Sequence, residues 1–221
     1  MKTYCPYLDC IAVYETEARD TSSLFNAICP KCDRLGRVKA LEIVDKLKSK
    51  EAKMNQRANQ DFEPSLKGQF HVLLEDIRSL WNVGSIFRTA DAIGISKLYL
   101  CGITGCPPRP EISKTALGAE EDIPWTYSSQ PLAAINMLKK TGVIILGLER
   151  THESVNLVKL LKEQKIKTPF CLAVGNEVAG LSPELMHSCD YLCDLPMKGK
   201  KESLNVASAF AVAAYFIDEF I

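Results

Sequence analysis

The sequence predicts an α/β domain on a parallel sheet, preceded by a small cysteine-bearing module. Two observations predict it. From residue 70 onward, short apolar runs alternate with segments of helical period, as strands alternate with crossover helices. Before that point, four of the nine cysteines crowd into the first 32 residues as two short-gap pairs.

The elements follow in order. Residues 70–74 form an apolar run that reads as a buried strand. Val83, Ile86, Phe87, Ala90 and Ile93 recur at helical spacing, and Gly94 supplies a stop. Residues 98–101 are a second strand, 132–138 a helix and 143–148 a third strand. Residues 170–174 are a fourth strand and 191–195 a fifth, with a short helix from Pro183 between them. A last helix runs from about 204 to 220. Between Val206 and Ile217 only Ser208 and Tyr215 carry a polar group. A helix apolar nearly all round must be covered on more than one side, by a second element or a second subunit.

Length and composition bound the rest. A chain of 221 residues holds one full domain and a small appendage. With 47% apolar and 24% charged residues it can build a core, which excludes a wholly disordered chain. No run reaches the roughly 18 apolar residues of a membrane span. The N-terminus lacks a charged-then-apolar signal segment. A cytoplasmic protein with reduced thiols and no membrane partner is the expectation. Basic and acidic residues number 27 each, which counts against a globally basic nucleic-acid binder. The charge is uneven, however. Residues 37–57 carry seven basic and three acidic side chains, whereas 61–221 carry 16 and 19. Turn formers at 59–61 and 64–68 mark a break. The expected organisation is a module over 1–36, a basic helical linker over 37–68 and a main domain over 69–221.

Cys5 and Cys10 pair with a four-residue gap, and Cys29 and Cys32 with a two-residue gap. Four thiolates at such spacing suit a tetrahedral structural Zn²⁺. Cys29-Pro-Lys-Cys32 followed by Gly36 looks like a zinc-ribbon knuckle. A redox role for that pair lacks the expected strand and helix context, and chance thiols are the remaining alternative. About 36 residues make little core, so the metal would supply folding free energy. The basic residues after it either track RNA phosphates or form one solvated helix face. Tyr4, Tyr7 and Tyr14 either stack on bases or fill the small module's core. Cys101, Cys106, Cys171, Cys189 and Cys193 read as ordinary buried thiols. His71, His152 and His187 show no metal-like pairing.

Three glycine-bearing segments carry the chemistry. The first runs from Asn82, a natural N-cap, through Gly84 to Arg88 and Gly94. Gly84 and Ser85 keep that helix start narrow, so a ligand or a backbone can approach. The second, Gly175-Asn176-Glu177-Val178-Ala179-Gly180-Leu181, is a strand-to-helix turn with Ser182 as cap and Pro183 at the first helical position. It does not have the dinucleotide-binding spacing. The third, Leu195-Pro196-Met197-Lys198-Gly199, leads to Ser203-Leu204-Asn205-Val206-Ala207. Taken singly, Arg88 could be a surface residue, Glu177 a loop charge, and Ser203 and Asn205 caps.

In order and together, these segments resemble the motifs of the SpoU-type (TrmH-like) branch of the SPOUT RNA methyltransferases. The resemblance runs from about residue 70 to the C-terminus, and the segment from Lys114 to Glu120 also fits. It implies a C-terminal trefoil knot, a homodimer, S-adenosylmethionine as methyl donor, and a ribose 2′-hydroxyl of tRNA or rRNA as acceptor. It implies donor contacts from Leu148, Gly175, Leu195 and Leu204. It gives Arg88 the key catalytic role, with Asn82, Glu177, Ser203 and Asn205 as supporting site residues. The compact core leans towards tRNA. The rival reading is a zinc-bearing RNA-binding or assembly factor on an inactive methyltransferase core. A small-molecule enzyme would need a catalytic base that the sequence does not offer.

Overall fold

The computed structural model describes residues 1–10, 12–16, 25–55, 70–163 and 166–220. Arg57 and the expected break at 59–68 lie outside them. The N-terminal module consists of two antiparallel hairpins. β1 (Lys2–Tyr4) pairs with β2 (Val13–Glu15), and β3 (Phe25–Ile28) with β4 (Leu35–Val38). Helix α1 (Leu41–Asn55) follows.

The main domain alternates strand and helix. In chain order it contains β5 (Phe70–Glu75), α2 (Leu80–Ala92), β6 (Lys97–Cys101), α3 (Pro110–Ala116), α4 (Ala119–Asp122), β7 (Trp125–Ser128) and α5 (Pro131–Lys140). Then come β8 (Ile144–Leu148), β9 (Val155–Asn156), α6 (Leu157–Lys162), β10 (Phe170–Val174), α7 (Pro183–Ser188), β11 (Tyr191–Asp194) and α8 (Val206–Phe220). Seven strands form one parallel sheet in the order β7-β6-β5-β10-β8-β11-β9. The five strands expected from the sequence are all present. Of the two additional ones, β7 reads Trp-Thr-Tyr-Ser and so makes no apolar run, and β9 has only two residues.

Side-chain alternation divides the core between two faces. Val72, Leu74, Leu146, Phe170, Leu172 and Val174 meet α2, α6 and α8 on one side. Leu73, Ile145, Cys171 and Ala173 face α5 and α7 on the other, and Cys5, Tyr7, Cys10 and Cys29 join that second cluster. The module therefore covers part of the sheet's second face. Its hydrophobic residues share a core with the main domain.

Local details show why the elements sit where they do. A Cβ at Gly84 would lie 2.3 Å from the Ile112 carbonyl oxygen and 2.1 Å from Thr115 Oγ1. The narrow start of α2 thus admits the backbone of α3. Edge strand β7 is closed by a side chain. Asn55 at the end of α1 accepts from Tyr127 N and donates to Tyr127 O, both at 3.0 Å, imitating a neighbouring strand. Lys50 donates to the Thr104 carbonyl at 2.7 Å and lies over the Tyr127 ring. The basic helix is packed on the domain, with Lys46, Lys48 and Lys53 exposed.

In α8, Phe210, Ala213, Ala214 and Ile217 form a buried stripe at helical spacing. Val212, Tyr215, Phe216 and Phe220 are exposed, so within one chain the helix is covered on one side only. Among the described residues, no helix is long and apolar enough to cross a membrane. Phe210 is fully buried, and Phe210→Ala is expected to cost about 3–5 kcal/mol of stability in urea unfolding. A loss below about 1 kcal/mol would show that α8 is not anchored by this side chain.

Candidate functional site

Parallel α/β sheets bind ligands beyond the carboxyl ends of their strands, where loops expose backbone groups. Here a cleft opens beyond β8, β10 and β11. The loop 175–182 forms one wall. Asn176 and Gly180 exchange both backbone hydrogen bonds, at 3.0 and 2.9 Å. A Cβ at Gly175 would stand 2.2 Å from the Gly180 carbonyl carbon, so this tight return requires glycine. Gly180 has φ +63°, the left-handed region that glycine enters freely. The Asn176 side chain accepts from Val178 N and Ala179 N and donates to Asp76 O at 2.7 Å.

All four residues expected to hold the donor line this cleft: Leu148, Gly175, Leu195 and Leu204. Glu177 and Ser203 line it too. Its walls are apolar at Val174, Met197 and Val206, and carboxylates stand at Glu149, Asp194 and Glu202. Exposed backbone suits hydrogen bonding to a flat purine, apolar walls suit its faces, and carboxylates suit a cationic tail and sulfonium. The residues present fit S-adenosylmethionine. Sequence reasoning did not single out Glu149, which lies just beyond β8 and accepts from Leu181 N at 2.7 Å.

The remaining expected site residues divide. Asn82 is not the N-cap of α2. That place belongs to Ser79, whose Oγ accepts from Asn82 N at 3.3 Å. The Asn82 side chain instead links the three motifs. Its Nδ2 donates to Glu177 Oε1 at 3.0 Å, and its Oδ1 accepts from Asn205 Nδ2 at 3.1 Å. Glu177 also accepts the backbone N–H groups of Arg78 and Ser79, each at 2.9 Å. Asn205 caps α8 by accepting from Ala207 N at 3.0 Å. Arg88 is exposed and is not among the residues lining the cleft of its own chain. Burial raises the Glu177 carboxyl, but the hydrogen bonds from Arg78, Ser79 and Asn82 outweigh it and hold the group below its ordinary range.

Behind the 175–182 loop lies a second set of charges. Glu75, Asp76 and Glu184 are buried with Arg37, and Lys39 reaches them. Glu75 accepts from Ser182 N at 2.7 Å and from Ser182 Oγ at 2.5 Å. Burial, and then the neighbouring Asp76, push Glu75 up to about 7 against the pull of Arg37. Glu184 is also raised by burial. Three carboxyls thus share two cations in one buried cluster.

The cysteine module has the geometry its spacing suggests. The sulfurs of Cys5, Cys10, Cys29 and Cys32 all lie within 4.8 Å of one another. Two of the separations are 3.7 Å, Cys5 to Cys32 and Cys10 to Cys29. Zn–S bonds of about 2.3 Å in a tetrahedron imply S···S distances of about 3.8 Å. The four thiols fit Zn²⁺. Arg34 nearby pushes the Cys32 thiol down to about 6, whereas burial raises Cys5, and Cys10 is raised as well. Tyr7 is buried and donates to Leu35 O at 2.9 Å, and the hydroxyl of Tyr14 is buried. Both belong to the module's core and are not free to stack on bases. Tyr4 is half-buried with Lys48 over its ring. Cys101, Cys106, Cys171 and Cys193 are buried free thiols, and Cys189 is nearly so.

Two measurements test these sites. Elemental analysis is expected to find one zinc per chain, lost in Cys29→Ser and Cys32→Ser; a metal-free protein with a folded N-terminus would contradict the fit. A carboxyl with a depressed pKa stabilises the fold above its unfolded value of about 4.3 and loses that contribution as pH falls through the folded value. Glu177→Gln is therefore expected to melt below the wild type at pH 7. The gap should close as the pH drops below about 4; a gap that stays constant with pH would show that the charge of Glu177 does not matter.

Comparison with known proteins agrees with this geometry. The SpoU rRNA Methylase family matches residues 69–215. The 23S rRNA (guanosine-2′-O-)-methyltransferase RlmB of Coxiella burnetii is 28% identical over 144 residues, covering 65% of this chain and 56% of that one. The chain thus spans about half the length of this curated relative. The crystal structure of an AdoMet-bound rRNA methyltransferase from Sinorhizobium meliloti superimposes with a TM-score of 0.64 at 28% identity, over 72% of this chain and 59% of that one. The SpoU methyltransferase AviRb from Streptomyces viridochromogenes, in complex with AdoMet, gives 0.64 at 25% identity, over 73% and 61%. With the match covering most of its length, from the start of the parallel sheet into the last helix, the chain belongs to the SpoU rRNA Methylase family.

Proposed function

We propose that this protein transfers a methyl group from S-adenosylmethionine to a ribose 2′-hydroxyl of tRNA or rRNA. The observation that carries the reading is the convergence of Leu148, Gly175, Leu195 and Leu204 in one cleft. The donor supplies an electrophilic methyl on a positively charged sulfur. The chain's task is to hold that group, exclude water and present the hydroxyl in line.

The backbone of the 175–182 loop and of residues 195 and 204 grips the donor, with carboxylates around the cationic end. Asn82, Glu177, Ser203 and Asn205 brace the acceptor side. The ribose hydroxyl is a weak acid, and a guanidinium offers N–H donors and no acceptor, so it does not take the proton. Arg88 instead binds the adjacent phosphate and stabilises the developing oxyanion. The proton leaves to phosphate or water. The exposed Lys198, Lys200 and Lys201 stand beside the third motif, where the RNA backbone passes.

The active form in this reading is a homodimer with a threaded C-terminal segment. The uncovered apolar face of α8 supports the dimer, as does the position of Arg88 outside its own cleft. A second copy both covers the helix and brings a guanidinium to the site. Arg88→Ala is expected to bind donor with unchanged affinity by titration calorimetry. Methyl transfer to unmodified total RNA should fall by at least about 10²-fold, with nucleoside analysis locating the ribose methyl in the wild-type reaction. Normal turnover by folded Arg88→Ala would remove Arg88 from the mechanism. Base methylation would overturn the reaction class.

A further inference from the structure

The cysteine module touches the main domain at one chemically specific place. Arg37 lies in β4, the last strand of the second hairpin, and is 3% exposed. Such burial is unusual for an arginine and demands partners. Its Nη2 donates to the Ala179 carbonyl at 2.8 Å, and its backbone N–H donates to Glu184 Oε2 at 2.7 Å. Nη1 stands between Glu75 Oε2 at 3.7 Å and Asp76 Oδ2 at 3.9 Å, an ion pair with each but too long for direct hydrogen bonds. Lys39, two residues on, meets Asp76 Oδ2 at 2.9 Å.

Each of these partners controls the 175–182 loop. Ala179 is within it. Glu75 holds Ser182 N and Oγ. The carbonyl of Asp76 holds the Asn176 side chain, which in turn holds Val178 N and Ala179 N. Glu184 opens α7, directly after the loop. The loop's other side lines the cleft through Gly175, Asn176, Glu177, Val178 and Gly180. One wall of the cleft is thus clamped from behind by a guanidinium that belongs to the N-terminal module.

We propose that Arg37 is a positioning residue for the donor cleft, so that the cysteine module sets donor affinity by holding the 175–182 loop in its binding shape. This rests on the donor-binding reading of that cleft. Arg37 has no access to RNA at 3% exposure, so its effect falls on the donor and not on the RNA. Truncating it would take the cation from Glu75, leave Asp76 to Lys39 alone and deprive the Ala179 carbonyl of its donor, all of which loosen the loop.

The test compares wild type with Arg37→Met and Arg37→Lys in the full chain. Arg37→Lys keeps a cation for the carboxylates but cannot also reach Ala179, and it serves as the informative variant if Arg37→Met does not fold. Amide hydrogen exchange without donor is expected to accelerate at least tenfold at residues 176–182 while β5 and β10 stay protected. Titration calorimetry with S-adenosylmethionine is expected to show at least tenfold weaker binding, with the KM for RNA within twofold of wild type. A folded variant with unchanged loop exchange and donor affinity within twofold would overturn the proposal. A wild type that binds no donor would instead overturn the reading of the cleft, and the exchange data would still report on the clamp.

Discussion

The surroundings of the cleft depend on two adjacent carboxylates at the end of a buried strand. Glu75 is the last residue of β5, and Asp76 turns the chain with φ +56°. Placed in the centre of the sheet and out of water, each must find compensating groups. Glu75 does so through Ser182 and Arg37, and Asp76 through Ile103 N, Lys39 and Arg37. Those partners come from the 175–182 turn, from the segment after β6 and from the cysteine module. Solvating one pair of acids therefore gathers three separate parts of the chain at the carboxyl ends of the strands.

A second carboxylate, Glu177, works at the front of the cleft as Glu75 does behind it. It accepts from the start of α2, and Asn82 carries the linkage onward to Asn205 at the cap of α8. Motifs separated by 95 and 123 residues in sequence are joined by single hydrogen bonds. Asn82 and Asn205, which carry this linkage onward from Glu177, are polar and uncharged, so they fix geometry without adding charge. Arg88 stands on the exposed face of α2, outside the cleft of its own chain.

Several features were legible without coordinates. The apolar runs of β5, β8 and β10 read as buried strands, and the α2 periodicity as one helix face. The pairs Cys5/Cys10 and Cys29/Cys32 announced a tetrahedral cluster, because four soft ligands at short gaps have few other uses. The cap at Ser182 followed from Pro183. Other features were not legible. Asn82 looked like a cap, yet Ser79 wins because its hydroxyl reaches the free N–H of Asn82. For Tyr7 the sequence left base stacking and module core both open, and the structure places it in the core; Lys50, read as either phosphate-tracking or solvated, instead sets its ammonium over the Tyr127 ring and donates to Thr104 O. Nothing local distinguishes Arg37 from its solvated neighbours.

By itself the sequence determined the parallel α/β architecture, the cysteine cluster and the residues that converge on the cleft. The first two are written in periodicity or in residue type at short spacing, and the cleft residues were implied by the resemblance of the three motifs to the SpoU-type family. Only the tertiary structure decided that the N-terminal module is part of the main domain's core, and that Arg37 reaches the back of the 175–182 loop. It also decided that Asn82 bonds both Glu177 and Asn205 while Arg88 does not line the cleft. The physical reason is that burial and pairing of a charge are properties of what the rest of the chain brings to it. Arg37 and Arg88 are the same residue type, and only their surroundings leave one buried among carboxylates and the other exposed on α2.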